Sequence, residues 1–361
     1  GGGGGGGGGS SGSGSSSSTP TNTGSGGSSS SHGGGGGGDD DGKTVTVAFA
    51  ADGRYLAKVL AVVERLRAMK LGKSYRIIAF DLTSHGSKPY NPALVEALEC
   101  AAPTLFDEYR RFDFAKYPSH VAQLNCYAWK PLLLAELHKE FPKQGLVWLD
   151  SGVTLGGPNG GRDGFLEAAL VAAKAQGGVL SDKTARGLED FTHQGMFEYF
   201  EKKWAFPRTF FTENKKLPVY NCNGAFSAWT ALEEQQPQRG LSLNGGGRDA
   251  VSGRHAQGSF VGASALQMWG ECALEKNCMC PPGSGRGNHR QDQAGLTLVL
   301  ATVGVRCYGD KATPEQPGAR GPFGNGTSWV HAHGLKLTRV KCGDDAGCYV
   351  KTHAPQCASL L

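Results

Sequence analysis

The chain has 361 residues, with 37 Lys and Arg against 32 Asp and Glu and a formal net charge of +5 at pH 7. No block of Lys or Arg is long enough for a nucleic-acid-binding arm, and no apolar run reaches the roughly 18 residues of a membrane-spanning helix. The mildly basic balance suits a phosphate-bearing small molecule better than a polyanion, so nucleic acid is not an expected partner.

Residues 1–42 are mostly Gly, Ser and Thr, with Asp39, Asp40 and Asp41 near the end. Such a segment cannot bury enough apolar surface to offset its ordering entropy and reads as a flexible linker or stem. Residues 43–361 are expected to form one domain. Because the sequence opens on Gly, it reads as a fragment, which leaves room for a signal peptide or membrane anchor upstream.

Lys43 to Ala51 is rich in β-branched and apolar residues and runs into Asp52, the pattern of a strand and turn. Leu56, Val59, Leu60, Val63, Leu66 and Met69 then recur at helical spacing, and Tyr75 to Leu82 is a second strand carrying Asp81. Strand, helix and strand of these lengths make a βαβ unit with parallel pairing. A short helix is expected over Asn91–Ala101 and an irregular aromatic stretch over Thr104–Leu124. Another helix, Cys126–Phe141, should carry Trp129, Leu133 and Leu137 on one face, with Lys130 facing either a phosphate or solvent.

The centre of the chain is Leu146-Val147-Trp148-Leu149-Asp150-Ser151-Gly152, an apolar strand delivering one carboxylate to a turn. An acid there lies where open α/β sheets bind ligands; its ordinary alternative is a turn-forming or capping Asp. Asp163 is placed to cap a helix over Phe165–Ala175, and Gly178–Ser181 is a short strand ending at Asp182. Pro218–Trp229 reads as one strand with a polar break at Asn221-Cys222-Asn223-Gly224, whose amides need backbone or ligand partners. Pro237–Gly262 reads as an exposed insertion. Helices are expected over Ala263–Leu274 and Gln291–Val303, and short extended runs over Val305–Tyr308 and Ser328–Gly334.

Asp292 and Gln293 open the last of these helices. They can hydrogen-bond sugar hydroxyls, or Asp292 can act as a general base; the plain alternative is an acidic first turn. His331 and His333, two apart in an extended run, project to one face in a metal-chelating geometry, or are simply exposed. Among ten cysteines, Cys100, Cys126 and Cys222 are scattered, whereas the other seven crowd the last quarter. Cys278-Met279-Cys280 is too tight for a Cys-x-x-Cys zinc pair, so disulfides in an oxidising lumen are the favoured reading, and Asn325-Gly326-Thr327 is a glycosylation sequon. Phosphate-loop, nucleophile-elbow and zinc-helix motifs do not occur.

In order, Trp148-Leu149-Asp150-Ser151-Gly152, Asn223-Gly224, Asp292-Gln293 and His331-Ala332-His333-Gly334 resemble the motif series of GT-A-fold nucleotide-diphospho-sugar glycosyltransferases, over about residues 43 to 335. The resemblance implies an α/β, Rossmann-like, mixed but mainly parallel sheet flanked by helices. It implies a nucleotide-sugar donor over the strand ends, with Asp52, Asp81, Lys130, Asp150, Ser151, Gly152, Asn223 and Gly224 on the donor. Asp292 and Gln293 would orient donor or acceptor hydroxyls. Asp150, His331 and His333 would hold Mn²⁺ or Mg²⁺, although Gly152 stands where the family's second Asp binds metal, and Lys336 sits one residue early for the family's phosphate contact. A glycan or glycoprotein acceptor and a Golgi lumen follow from the same resemblance. The rivals are a catalytically degenerate binding protein of this fold, and a glycoside hydrolase pairing Asp150 with Asp182 or Asp292.

Overall fold

The computed structural model describes residues 42–52, 55–68, 74–83, 92–155, 164–213, 220–231, 261–309, 335–336, 351 and 354–360. These lie in one unit, Asp39–Leu361; the other unit, Gly1–Gly38, falls outside the described residues, as do His331, His333, Asp163 and the sequon.

In chain order the elements are β1 (Val45–Ala51), α1 (Leu56–Ala68), β2 (Tyr75–Asp81), α2 (Pro92–Leu105), β3 (Glu108–Arg111), α3 (Trp129–Glu140), β4 (Gly145–Leu149) and β5 (Thr154–Leu155). Next come α4 (Phe165–Ala175), β6 (Val179–Leu180), β7 (Lys183–Gly187), α5 (Gln194–Trp204) and α6 (Arg208–Thr212). They are followed by β8 (Tyr220–Cys222), β9 (Phe226–Trp229), α7 (Val261–Ala273), α8 (Lys276–Met279), α9 (Gln291–Thr302) and β10 (Leu335–Lys336).

The main sheet has the order β3-β2-β1-β4-β9-β6. Strands β3, β2, β1 and β4 are parallel, and β9 runs antiparallel to both β4 and β6, so the fold is a mixed, mainly parallel α/β sheet. The central strands β1 and β4 are buried on both faces, which is why they read as unbroken apolar runs rather than alternating ones.

Alternation along these strands assigns each side chain to a layer. Val45, Val47, Phe49, Val147 and Leu149 pack with α1, α2 and α4. Ala48, Ala50, Leu146 and Trp148 pack with α3, α5, α7 and α9. Because successive strand residues point to opposite faces, Asp150 continues the Leu146–Trp148 series and is directed toward the α3 and α9 layer.

Three expectations need correction. The stretch 104–124 is not irregular throughout: Glu108–Arg111 is an edge strand, held by Arg110 bridging Glu108 and Glu140. Pro218–Trp229 is not one strand. Its polar break turns the chain, so β8 pairs with β7 while β9 enters the main sheet. Val305–Tyr308 supplies only an isolated bridge, Asp182 to Tyr308.

Disulfides join Cys100 to Cys357, Cys126 to Cys280, Cys222 to Cys307 and Cys272 to Cys278. Each of the three scattered early cysteines is therefore matched by one from the late cluster.

Candidate functional site

The site forms at the C-terminal edge of the parallel strands. Asp52 follows β1 and Asp81 ends β2; the backbone N–H of Leu82 donates to the Ala51 carbonyl at 2.9 Å, so the two carboxylates sit on adjacent strand ends, both buried. Asp81 uses one oxygen to accept from the Thr83 N–H at 2.7 Å and from the Thr83 hydroxyl, while its other oxygen is buried without a hydrogen bond. On the next strand but one, the Asp150 N–H donates to the Ala225 carbonyl at 2.9 Å, which brings Asn223 and Gly224 to the same edge.

Lys130 is the hub. Only 1% of its side chain is exposed, and its Nζ lies 2.9 Å from Asp150 Oδ1 and 2.6 Å from Asp292 Oδ2. It also donates to the Gly224 carbonyl at 3.1 Å. Lys130 is therefore not the solvated lysine that was one of its two expected readings. The position one residue into α3 directs the stem inward, where a bare ammonium would be prohibitively costly, and the two acids supply the compensation. Burial would lower the Lys130 pKa, but Asp150 and Asp292 outweigh it and hold the ammonium above its ordinary value.

Asp150 and Asp292 differ in access. Asp292 is 10% exposed, Asp150 33%. Burial pushes the Asp150 carboxyl up, Lys130 pulls it down, Asp292 pushes it up again, and the net direction is upward. A third of that side chain meets solvent, so the push is smaller than for a sealed carboxyl. The Trp148 indole donates to Asp150 Oδ1 at 2.9 Å and fixes the carboxylate plane.

Gly224 has to be glycine. A Cβ there would collide with Asp292 Oδ2 and lie 3.2 Å from Gln293 Cγ. Asn223 turns the chain by accepting from the Ala225 N–H at 3.0 Å through its side-chain oxygen, and its carbonyl accepts from the Ser181 hydroxyl at 3.0 Å. The Cys222–Cys307 disulfide anchors this turn from the preceding residue. Ser151 is half-buried and Gly152 exposed, in the turn after β4.

Two further segments approach Lys130. Tyr127 sits in the left-handed region at φ 55°, a conformation uncommon for a side-chain-bearing residue and one that concentrates at functional sites. Its ring has Lys130 Nζ at 5.6 Å and the Arg286 guanidinium at 5.9 Å from the centroid. The Cys126–Cys280 disulfide ties this segment to the 281–290 loop, which brings Arg286, His289 and Arg290 to the site.

His289 is fully buried. Its Nδ1 accepts from the His193 N–H at 3.2 Å and its Nε2 lies 3.1 Å from the Met279 carbonyl, so the neutral Nε2–H form satisfies both. Burial lowers its pKa to about 4. In the sequence, His289 and Arg290 are marked only by lying directly before the α9 helix.

Of the ligands implied for a divalent cation, only Asp150 is among the described residues; His331 and His333 lie outside them. Among the described residues no group of three His, Cys, Asp or Glu is placed to hold a metal. The two carboxylates that converge already have a cation between them, the Lys130 ammonium, and Gly152 supplies no ligand. The described residues alone therefore make no metal centre. The same ammonium contacts both Asp150 and Asp292, one of the carboxylate pairs a hydrolase would need across a glycosidic bond.

No protein-family model matches the chain, and no curated protein matches it. Solved structures similar to it include the galactosyltransferase LgtC in complex with donor and acceptor sugar analogues (14% identity, TM-score 0.30, 53% of this chain and 59% of that one). An active-site mutant of LgtC (14%, 0.30, 53% and 58%) and the bifunctional glycosyltransferase WbbM (13%, 0.34, 73% and 38%) are also similar. The chain thus spans less than two thirds of each neighbour, and at this likeness the comparison concerns the α/β sheet and carries nothing about activity.

Proposed function

We propose that the protein is a glycosyltransferase that moves a sugar from a nucleotide-sugar donor to a glycan or glycoprotein acceptor. The observation that carries this reading is the convergence of three motifs, through Asp150, the Gly224 carbonyl and Asp292, on one buried ammonium at the strand ends, the place where open α/β sheets bind ligands. Those are three of the four motifs on which the family resemblance rests.

In this reading Asp150 is the carboxylate that meets the substrate. Its Oδ1 is committed to Lys130 and Trp148, and the exposed remainder accepts hydrogen bonds from sugar hydroxyls. Asp292 is a positioning residue: it holds Lys130 against Asp150, and Gln293 beside it offers an amide to a further hydroxyl. Asp52 and Asp81 lie toward the nucleoside. The transition state of glycosyl transfer is oxocarbenium-like, so its stabilisation rests on placing the acceptor oxygen and on neutralising the departing diphosphate. The four disulfides suit an oxidising, lumenal or extracellular compartment, and we place the protein in the Golgi lumen.

A binding protein without turnover is the second reading, favoured by one specific observation: Lys130 satisfies both converging carboxylates internally. A nucleotide-sugar panel, with and without Mn²⁺ and alongside Asp150→Asn, separates the two. Transfer or donor hydrolysis abolished by Asp150→Asn supports the enzyme; binding without turnover supports the second reading. If no nucleotide sugar binds under any condition, the transferase reading fails, and of the second only a glycan-binding protein is left.

A further inference from the structure

Three guanidiniums, those of Arg186, Arg286 and Arg290, gather around the Phe191 and Tyr127 rings beside Lys130, and among the described residues none forms an ion pair. Arg186 and Arg290 both lie over the Phe191 ring, at 4.5 and 5.8 Å from its centroid, and Arg286 stands at 5.9 Å from Tyr127, whose ring also contacts Lys130. The Arg290 N–H donates to the Phe191 carbonyl at 3.0 Å, which fixes the backbone of this group. Among the described residues none of the three pairs with a carboxylate, although Arg67, Arg76, Arg110 and Arg111 all do. The Nε of Arg290 is buried with no hydrogen-bond partner.

Like charges are gathered this way at a cost. Burial lowers the Arg290 pKa, and the positive fields of Arg186 and Arg286 lower it further. Guanidiniums seated near aromatic rings keep their N–H forks available for phosphate oxygens. The elements that hold them have no need of the charge: Arg186 is on the exposed face of β7, and Arg286 is exposed in the 281–290 loop.

We infer that Arg186, Arg286 and Arg290 form a diphosphate-binding cradle that takes the charge of the donor's leaving group without a divalent metal ion. The inference rests on the proposed transferase function for the identity of the donor, but not for the anion site itself. It supplies positive charge from side chains where, among the described residues, the Asp150–Gly152 turn assembles no metal-binding group.

The test uses the full chain, treated with chelator and then freed of it, titrated calorimetrically with inorganic pyrophosphate alone. Binding is expected without metal and should weaken as salt rises. Arg286→Gln and Arg290→Gln should each weaken it about ten- to a hundred-fold, the loss of one charge-assisted hydrogen-bonding group. Arg186→Gln should weaken it too, and Arg111→Gln, in an exposed ion pair with Glu99, should not. Arg186 and Arg286 are exposed, so their variants fold even if Arg290→Gln does not. Pyrophosphate that binds only with Mn²⁺ added, or that binds the Arg186→Gln/Arg286→Gln double variant as well as the parent, overturns the cradle. Pyrophosphate binding with no nucleotide-sugar binding keeps the cradle and removes the transferase; nucleotide-sugar binding only with Mn²⁺ does the reverse.

Discussion

Replacing Lys130 by Met keeps the volume and removes the charge, and it should be the most damaging single substitution in the site. At an effective dielectric of about 20, opposite charges 2.6 Å apart attract by about 6 kcal/mol, which is the Lys130–Asp292 pair. The Asp150 contact at 2.9 Å adds less, because a third of that carboxylate is solvated. Desolvation of each ion takes back several kcal/mol, and removing one partner of a buried pair costs about 3–5 kcal/mol because the other charge is stranded. Lys130→Met should therefore lower stability by about 3–5 kcal/mol at pH 7, read from urea unfolding. The pH dependence has a definite sign. Without Lys130 the Asp150 carboxyl, already raised by burial, rises further above its unfolded value. A group raised in the fold stabilises below its unfolded pKa and loses that contribution as pH rises through the folded one. The penalty should accordingly shrink between pH 7 and pH 4. Asp292→Asn added to Lys130→Met should recover part of the loss. A cost under about 1 kcal/mol, or a cost unchanged at pH 4, would refute the account of Lys130 as a cation held by two acids.

Gly224→Ala places a methyl group against the Asp292 carboxylate and should cost about 1–3 kcal/mol, with donor binding lost in the calorimeter before the fold is lost by circular dichroism. His289, with its pKa lowered to about 4, gives stability that is full above the ordinary histidine pKa and falls as pH drops from about 6.5 through 4, by about 3 kcal/mol in all; His289→Gln should flatten that part of the urea-stability profile, and an unchanged profile would argue against a buried neutral imidazole. Removing the Cys100–Cys357 bridge by paired Ser substitution should cost about 5 kcal/mol, against about 2 for Cys272–Cys278, because the closed loops differ so much in length; equal melting temperatures of the two variants would contradict the loop-closure argument.

Much of the fold was legible because its signals are local. The apolar runs of β1, β2 and β4 and the helical spacing of α1 each depend on a few neighbouring residues, and the parallel pairing follows from the length between strands. The turn at Asn223-Gly224 was harder. A strand period continues across it, and only the clash of any Cβ at Gly224 with Asp292, 68 positions away, shows why the chain must break there. Lys130 was misread for a similar reason. A lysine in the first turn of a helix is ordinarily solvated, and nothing nearby in sequence reports that two aspartates from β4 and α9 close over it. The arginine group left no pattern, since its three members are brought together by rings and by a disulfide rather than by spacing. The place of Asp150 at the end of a buried strand was legible from the apolar run that leads into it.

The cysteine connectivity sets a schedule for the nascent chain. Cys100 has to wait for a partner 257 positions later, Cys126 for one 154 later and Cys222 for one 85 later. At about 5–20 residues per second of synthesis, the first of these thiols spends from about ten seconds to most of a minute beside Cys126 before Cys357 exists. Cys100 and Cys126 thus share a window in which their easiest oxidation product is a wrong one. Correct maturation then depends on thiol–disulfide exchange after the late cysteines arrive, and a compartment that oxidises without isomerase activity should trap the βαβ half in a cross-linked form from which the Lys130 site cannot be assembled.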